Sequence, residues 1–403
     1  AVKEFAEWYA THLYDNGKVP CCVDEHGPTP VPENDSHGQF IYLVAEYYRH
    51  TGDKGLLEKL WPQVVKTVAY MDSLRQSRMT PQYEVGANRA FYGLMPQSIS
   101  HEGYSAKPMH SYWDDFFALR GFKDAAFIAR VLEKPEADAY AGMTASFRGN
   151  FRESISQVLM QRRIDFIPGS VELADFDATS TTVAVSPVGE AARFFPPTLQ
   201  RTFDRYFNEA RQRARGLRQY ESYTPYELRT VGTFVQLGQR AKAHELLDFF
   251  FRDQRPAAWR QWAEVVYREP KTPKFIGDMP HTWVGSDYMR SFLDMFAFER
   301  ESDSSLVLAA GLKDEWLKES PGVRVTNLST HYGPLSYDAR AFGTTVTVNL
   351  KTGTRLPPGG IVVSSPLDQP VVSALVNGAL AGVKGAEVVV RKLPAIVTFR
   401  YAK

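Results

Sequence analysis

Near residue 317 the hydrophobic period of this chain changes, and no other feature constrains its fold as strongly. Up to about residue 315, apolar residues recur at i, i+3, i+4 and i+7, the signature of amphipathic helices. Past Leu317 the texture turns to β-branched runs such as Val323-Arg-Val-Thr, Thr344-Thr-Val-Thr-Val-Asn-Leu, Ile361-Val-Val-Ser and Glu387-Val-Val-Val-Arg, divided by Pro and Gly turns. A helix offers every third or fourth residue to a core and a strand every second, so one element cannot satisfy both patterns. The chain therefore reads as a helical domain over 1–316 and a small β domain over 317–403, with the boundary between Glu315 and Pro321.

The periodicity predicts helices near 2–14, 37–51, 54–76, 112–132, 136–162, 198–214, 224–237, 239–252 and 283–300. Over 54–76, Leu56, Leu57, Leu60, Trp61, Val64, Val68 and Met71 fall on one broad stripe that needs a neighbouring helix to cover it. Consecutive segments read as helical hairpins. The connections are unequal, with long loops over 77–111 and 163–197, which fits an (α/α) toroid better than the near-constant unit of a solenoid. In the β domain, Leu356-Pro-Pro-Gly-Gly is a turn and Ala395-Ile-Val-Thr-Phe-Arg-Tyr a closing strand, the pattern of an antiparallel β-sandwich.

Composition narrows the chemistry. With 47 Lys+Arg against 46 Asp+Glu the net charge is +1, which supplies no general attraction to nucleic acid or to an anionic membrane surface. No run approaches the roughly 20 apolar residues of a membrane span. The start of the sequence is amphipathic; an export signal would lie outside it, and a periplasmic or secreted location is expected if the full-length chain carries one. The two cysteines, Cys21 and Cys22, are adjacent, so no disulfide framework is expected. The nine histidines form no His-Glu-x-x-His pattern, so neither a metal site nor a cofactor is expected. Carboxylates are left to carry any reaction.

Several segments concentrate acids and aromatic rings. In Trp259-Arg-Gln-Trp262-Ala-Glu264, a carboxylate follows two indoles, a pairing that suits a sugar: its C–H face stacks on indole and its hydroxyls bond carboxylates. The competing reading is two core tryptophans and a surface glutamate. Asp278-Met-Pro-His281-Thr-Trp283-Val-Gly285 opens the last helix with more polar and aromatic residues than a cap needs, although Asp278 or Thr282 could cap it and His281 be structural. Tyr112-Trp113-Asp114-Asp115 begins another helix, where the dipole alone would favour the acids. Glu33 and Asp35 precede the helix near 37–51, with Asp35 or Ser36 as its natural N-cap. Asp175-Phe-Asp177 and Tyr220-Glu221-Ser-Tyr223-Thr-Pro225-Tyr226-Glu227 are polar stretches able to line a cleft, with Glu227 supporting its own helix.

These residues resemble the six-hairpin glycosidases, most nearly the bacterial α-L-rhamnosidase-like enzymes. Gly17-Lys-Val-Pro20, Asp35-Ser-His-Gly, Tyr47-Tyr-Arg-His-Thr-Gly52-Asp53, Trp61-Pro62 and Tyr70-Met are similar to a segment recurring in that scaffold. Trp262-Ala-Glu264 followed by His281, Trp283 and Gly285 looks like the late Trp-Glu motif whose glutamate is the general base, and Gly322-Val-Arg-Val-Thr-Asn327 is similar to the C-terminal β-sandwich. The resemblance implies an (α/α)6 toroid, incomplete in this stretch, followed by a small antiparallel β-sandwich. It also implies an exo-acting, inverting glycoside hydrolase on a rhamnose-like terminal sugar, with Glu264 activating water and a second carboxyl about 6.5–9.5 Å away protonating the leaving oxygen. Tyr112, Trp113, Trp259, Trp262, Asp278, His281 and Trp283 would bind the carbohydrate. The motif that carries the acid in that family precedes Gly17-Lys-Val-Pro20 and is absent from this sequence. The chain is therefore expected either to work with an N-terminal portion of the same enzyme or to take its acid from Asp114, Asp35 or Glu33. The rival readings are a glycoside phosphorylase on the same toroid and a non-catalytic carbohydrate-binding or scaffold protein.

Overall fold

The structure, a computed structural model, describes residues 1–100, 103–269, 272 and 279–402. The chain forms two compact units, Ala1–Thr202 and Phe203–Lys403. It is mainly helical, with β-sheets gathered towards the C-terminus. No described helix is long and apolar enough to cross a membrane.

The first unit holds α1 (Val2–Ala10), the short hairpin of β1 (Val23–Asp24) and β2 (Gly27–Pro28), α2 (Asp35–Thr51), α3 (Lys54–Gln76), the single turn α4 (Pro81–Glu84), α5 (Tyr112–Val131), α6 (Ala137–Arg162) and a second single turn, α7 (Ala178–Thr181). Asp53 caps α3 by accepting from the Gly55 amide at 2.9 Å, and the stripe Leu56, Leu57, Leu60, Val64, Val68 and Met71 is buried. Gly52, at φ 71°, ends α2 in the left-handed conformation that glycine adopts without strain.

The central helix α5 packs against α2, α3 and α6. Its crossing with α2 is closer than side chains permit: a Cβ on Gly38 would lie 1.9 Å from the Phe117 carbonyl oxygen, and one on Gly121 would lie 2.7 Å from the Gly38 Cα. Gly38→Ala is therefore expected to destabilise the protein by about 3 kcal/mol, the upper range for overpacking a core. A lower urea midpoint at unchanged slope would record this, and an unshifted midpoint would show that the two helices separate without cost.

α8 (Pro196–Ala214) leads into the second unit, followed by β3 (Ser222–Tyr223), α9 (Arg229–Gln236), α10 (Arg240–Phe251), β4 (Val266–Tyr267) and α11 (Thr282–Asp294). Then come β5 (Ala297–Arg300), β6 (Ser305–Leu308), α12 (Asp314–Lys318), β7 (Val323–Thr330), β8 (Gly333–Phe342), β9 (Thr345–Leu350) and β10 (Ile361–Ser364). The last strands are β11 (Val371–Val376), β12 (Ala379–Ala381), β13 (Glu387–Val390) and β14 (Ala395–Tyr401). A four-stranded sheet of order β13-β10-β6-β5 and a six-stranded sheet of order β12-β11-β14-β9-β8-β7 share one core. Leu306, Leu308, Ile361 and Val388 meet Tyr337, Val346, Val348, Val397 and Phe399 there, which is the interior of a sandwich.

Every segment read as helical contains a helix, yet several ends differ, and the α-helix expected from 224 starts at Arg229 after a 3-10 turn. The first helix stops at Ala10 rather than residue 14. The last stops at Asp294, and Ala297–Arg300 forms β5, paired antiparallel with β6. Phe296, Phe298 and their neighbours satisfy either period, and sheet pairing decides between them. The four-stranded sheet thus takes two strands from residues ahead of 317. The sandwich is also not wholly antiparallel, because β10 runs parallel to β6.

Candidate active site

Glu264 lies two residues before β4, in the irregular segment between α10 and β4. The ladder Ser222↔Tyr267 and Tyr223↔Val266 ties this segment to β3 and brings the start of the next 3-10 turn, Pro225–Leu228, alongside. There Tyr226 donates its hydroxyl hydrogen to Glu264 Oε1 at 3.2 Å, and His281 Nε2 lies 3.4 Å from the same hydroxyl.

The local structure at α11 orients that chain of hydrogen bonds. His281 is the N-cap residue, and its Nδ1 accepts from the Val284 amide at 3.4 Å. A ring whose Nδ1 accepts must carry its hydrogen on Nε2 when neutral, so Nε2 donates to the Tyr226 oxygen and the phenol donates onward to Glu264. Burial, reinforced by the Glu264 charge, pushes the Tyr226 hydroxyl above the usual phenol range, which keeps it a donor. Tyr226 is thus a donor to Glu264 Oε1.

Aromatic surface and charge frame this group. The Trp283 ring stands 4.9 Å from the Tyr226 ring, with Arg229 5.2 Å above Tyr226 and 5.5 Å from Trp283. Arg229 Nε donates to Asp287 Oδ2 at 2.8 Å. Burial raises the Asp287 carboxyl, against the pull of Arg229. Trp283 is 41% exposed, and Trp259, on the 3-10 turn Ala257–Trp259, is 60% exposed.

Trp262 has a different role from the stacking surface expected of it. It is 1% exposed, its Nε1 donates to the Phe250 carbonyl at 2.9 Å, and Phe251 stacks on it at 6.2 Å. Its indole anchors the Glu264 segment to the end of α10. Asp278 lies outside the described residues. Glu227 is buried with Arg213 and Tyr206, whose hydroxyl it accepts at 2.5 Å, and so braces its own helix turn. The side chain that meets Glu264, and that sequence reasoning named only as part of a longer polar stretch, is Tyr226.

The first unit holds the other carboxyls. Asp35 is the first residue of α2, with Asn34 in the N-cap place, and it accepts from Trp113 Nε1 at 2.7 Å and Gln39 Nε2 at 2.8 Å. Trp113, 3% exposed, is thereby committed to Asp35, and Tyr112, 1% exposed, bonds Ser154 at 2.8 Å. Neither ring is a surface on which a sugar can stack. Asp114 has no exposure; Ser98 donates to its Oδ2, and burial with the Asp35 charge holds its carboxyl well above the usual range. Its carboxyl is wholly enclosed by protein, where an acid that meets substrate would be expected to be exposed. Glu33 is half-buried just ahead of α2.

The remaining polar loops of this unit are structural. Asp177 caps α7 through the Ser180 amide at 2.9 Å, and Asp175 accepts from Ser170 and Tyr104. His110 is held between Glu172, 2.8 Å from its Nδ1, and Arg78, 3.1 Å from its Nε2. Burial would raise the Glu172 carboxyl, but the His110 and Gln97 hydrogen bonds outweigh it and bring it down to about 2.

No family model matches this chain, and no curated protein matches its sequence. Solved structures do resemble it. The α-L-rhamnosidase from Dictyoglumus thermophilum superposes with a TM-score of 0.50 at 10% identity, over 99% of this chain and 43% of its own. The Streptomyces avermitilis α-L-rhamnosidase complexed with L-rhamnose does so with a TM-score of 0.52 at 14% identity, over 98% of this chain and 36% of its own. The chain has their fold. It spans less than half the length of either. A fold of this kind hosts many chemistries, so the case for function is carried by the residues around Glu264.

Proposed function

We propose that the protein is a glycoside hydrolase that removes a terminal, rhamnose-like sugar with inversion at the anomeric carbon. The carrying observation is the relay His281, Tyr226, Glu264, which fixes one carboxylate oxygen by a permanent donor. A carboxylate held in this way keeps one lone-pair direction constant, as a base must to orient a single water against one face of a sugar. Trp283 beside Tyr226, and exposed Trp259 on the same loop, offer the apolar faces that a pyranose needs. Kinship of fold with two α-L-rhamnosidases, one holding L-rhamnose, supports the choice of sugar.

In this reaction Glu264 takes a proton from water as the water attacks the anomeric carbon, while a second carboxylic acid protonates the departing oxygen. His281 and Tyr226 move no proton to substrate; they hold the base in place. The test is hydrolysis of aryl α-L-rhamnosides followed by proton NMR of the first-formed sugar. Release of β-L-rhamnose is expected. Release of the α-anomer would overturn inversion, and no turnover of any aryl glycoside would overturn the enzyme reading.

A further inference from the structure

The segment between α1 and α2 holds the chain's two cysteines side by side, Cys21 and Cys22. In extended backbone successive side chains point to opposite faces, which would part them. Here the chain bends at Cys21 before entering β1, and the two sulfurs lie 2.9 Å apart, joined by an S–H···S hydrogen bond. The backbone on both sides is tied down: the Tyr9 hydroxyl donates to the Pro20 carbonyl at 2.7 Å, and the Thr29 amide donates to the Cys22 carbonyl at 3.0 Å. Cys22 is exposed and Cys21 half-buried, so solvent meets the pair as a unit.

Three constraints select what such a pair can hold. Cα atoms of adjacent residues lie about 3.8 Å apart across a trans peptide, below the roughly 4.4–6.8 Å that ordinary disulfides span, so direct closure is strained. One atom bridging the sulfurs lengthens the ring and relieves that strain. A structural zinc takes four ligands, and among the described residues no histidine or acid completes a three-ligand group with the two sulfurs. Burial, the hydrogen bond with Cys22 and the Glu33 charge push the Cys21 thiol up to about 12. The thiolate is the form that binds a cation, so a protonated Cys21 disfavours one near neutral pH. A centre that carries its own hydroxyl groups avoids that cost. When two thiols meet an arsonous acid, R–As(OH)2, two As–S bonds form, two As–O bonds break, and each thiol proton leaves with a hydroxyl as water. Arsenic stays trivalent, and no oxidant is needed.

We propose that Cys21 and Cys22 form a chelating site for a trivalent arsenical, held through both sulfurs. The site is independent of the Glu264 reading and needs no hydrolytic activity. The experiment is addition of phenylarsine oxide, the anhydride of such an acid, to the reduced chain at neutral pH, followed by intact mass and a count of free thiols. One phenylarsenic per chain with both thiols lost is expected, stable to excess monothiol and released by a vicinal dithiol. Cys21→Ser and Cys22→Ser each leave one sulfur, and binding should weaken about 100-fold or more, the loss that follows when a second attachment is removed. Cys22→Ala, at the exposed position, repeats the measurement should Cys21→Ser lose the parent's thermal transition. Failure of the wild type to take up arsenic, or an adduct in a single variant as resistant to monothiol as the parent's, overturns the site. Tighter binding of Zn2+ than of the arsenical overturns the choice of centre.

Discussion

Glu264→Gln is expected to lower kcat on an aryl rhamnoside by roughly 10³-fold, within the range that positioned general bases contribute, with little change in KM. The amide is nearly isosteric, and its oxygen can still accept from Tyr226, so the loop has no reason to move. What disappears is the capacity to take a proton from water. Azide needs no deprotonation to attack, so added azide should restore turnover and yield a glycosyl azide of inverted configuration. An undiminished rate in the variant would remove Glu264 from the reaction, and a lost rate without azide rescue would argue for a role other than base. Tyr226→Phe separates holding from reacting. It deletes the hydrogen bond at 3.2 Å while keeping the ring against Trp283, and a loss of about tenfold in kcat is expected, the worth of one hydrogen bond to a charged group.

How much of this site was legible in the sequence follows from the range of each interaction. The helix start near Thr282 and the crowd of polar and aromatic residues around it are local, and so they were readable, although the cap is His281 and not Thr282; Trp283 stands exposed beside Tyr226. The Glu264 to Tyr226 contact joins residues 38 positions apart through a two-residue ladder, and no periodicity announces it. Indole serves a core and a sugar equally well, so Trp262 and Trp113 could not be told from binding residues by type. Each shows its role only through what its N–H meets, the Phe250 carbonyl and the Asp35 carboxylate respectively. The acids at the start of α5 were readable as dipole-stabilised, but their complete burial depends on packing against residues far along the chain. In the same way the stripe of α3 was plain from its spacing, whereas β5 was lost inside an apolar run that sheet pairing alone interprets.

Two buried acids of the first unit are expected to answer pH in opposite senses. Glu190 has no exposure, and Lys123 at 2.9 Å and Arg148 at 2.9 and 3.0 Å hold its two oxygens. Burial raises its carboxyl, but the Arg148 hydrogen bond and the Lys123 charge outweigh it, and the net shift is downward. A group lowered by folding contributes stability that is present above its unfolded value, near 4.5, and lost as pH falls through its folded value. Glu190→Gln should therefore cost about 3 kcal/mol at neutral pH, because it leaves Lys123 and Arg148 facing an uncharged amide. That cost should shrink in acid, where the wild-type carboxyl is itself protonated. Asp115 is equally buried, yet it receives only the Met95 amide at 2.9 Å, and its Oδ2 has no described partner. Burial, with no facing cation to oppose it, raises its carboxyl well above the usual range. Its stabilising contribution is present below about 3.8 and is lost as pH rises through the folded value, so Asp115→Asn should be neutral near pH 4 and stabilising by pH 8. Urea denaturation of the wild type and both variants across roughly pH 2 to 8 measures the two differences. Parallel curves for wild type and either variant would show that the acid in question does not change its proton affinity on folding.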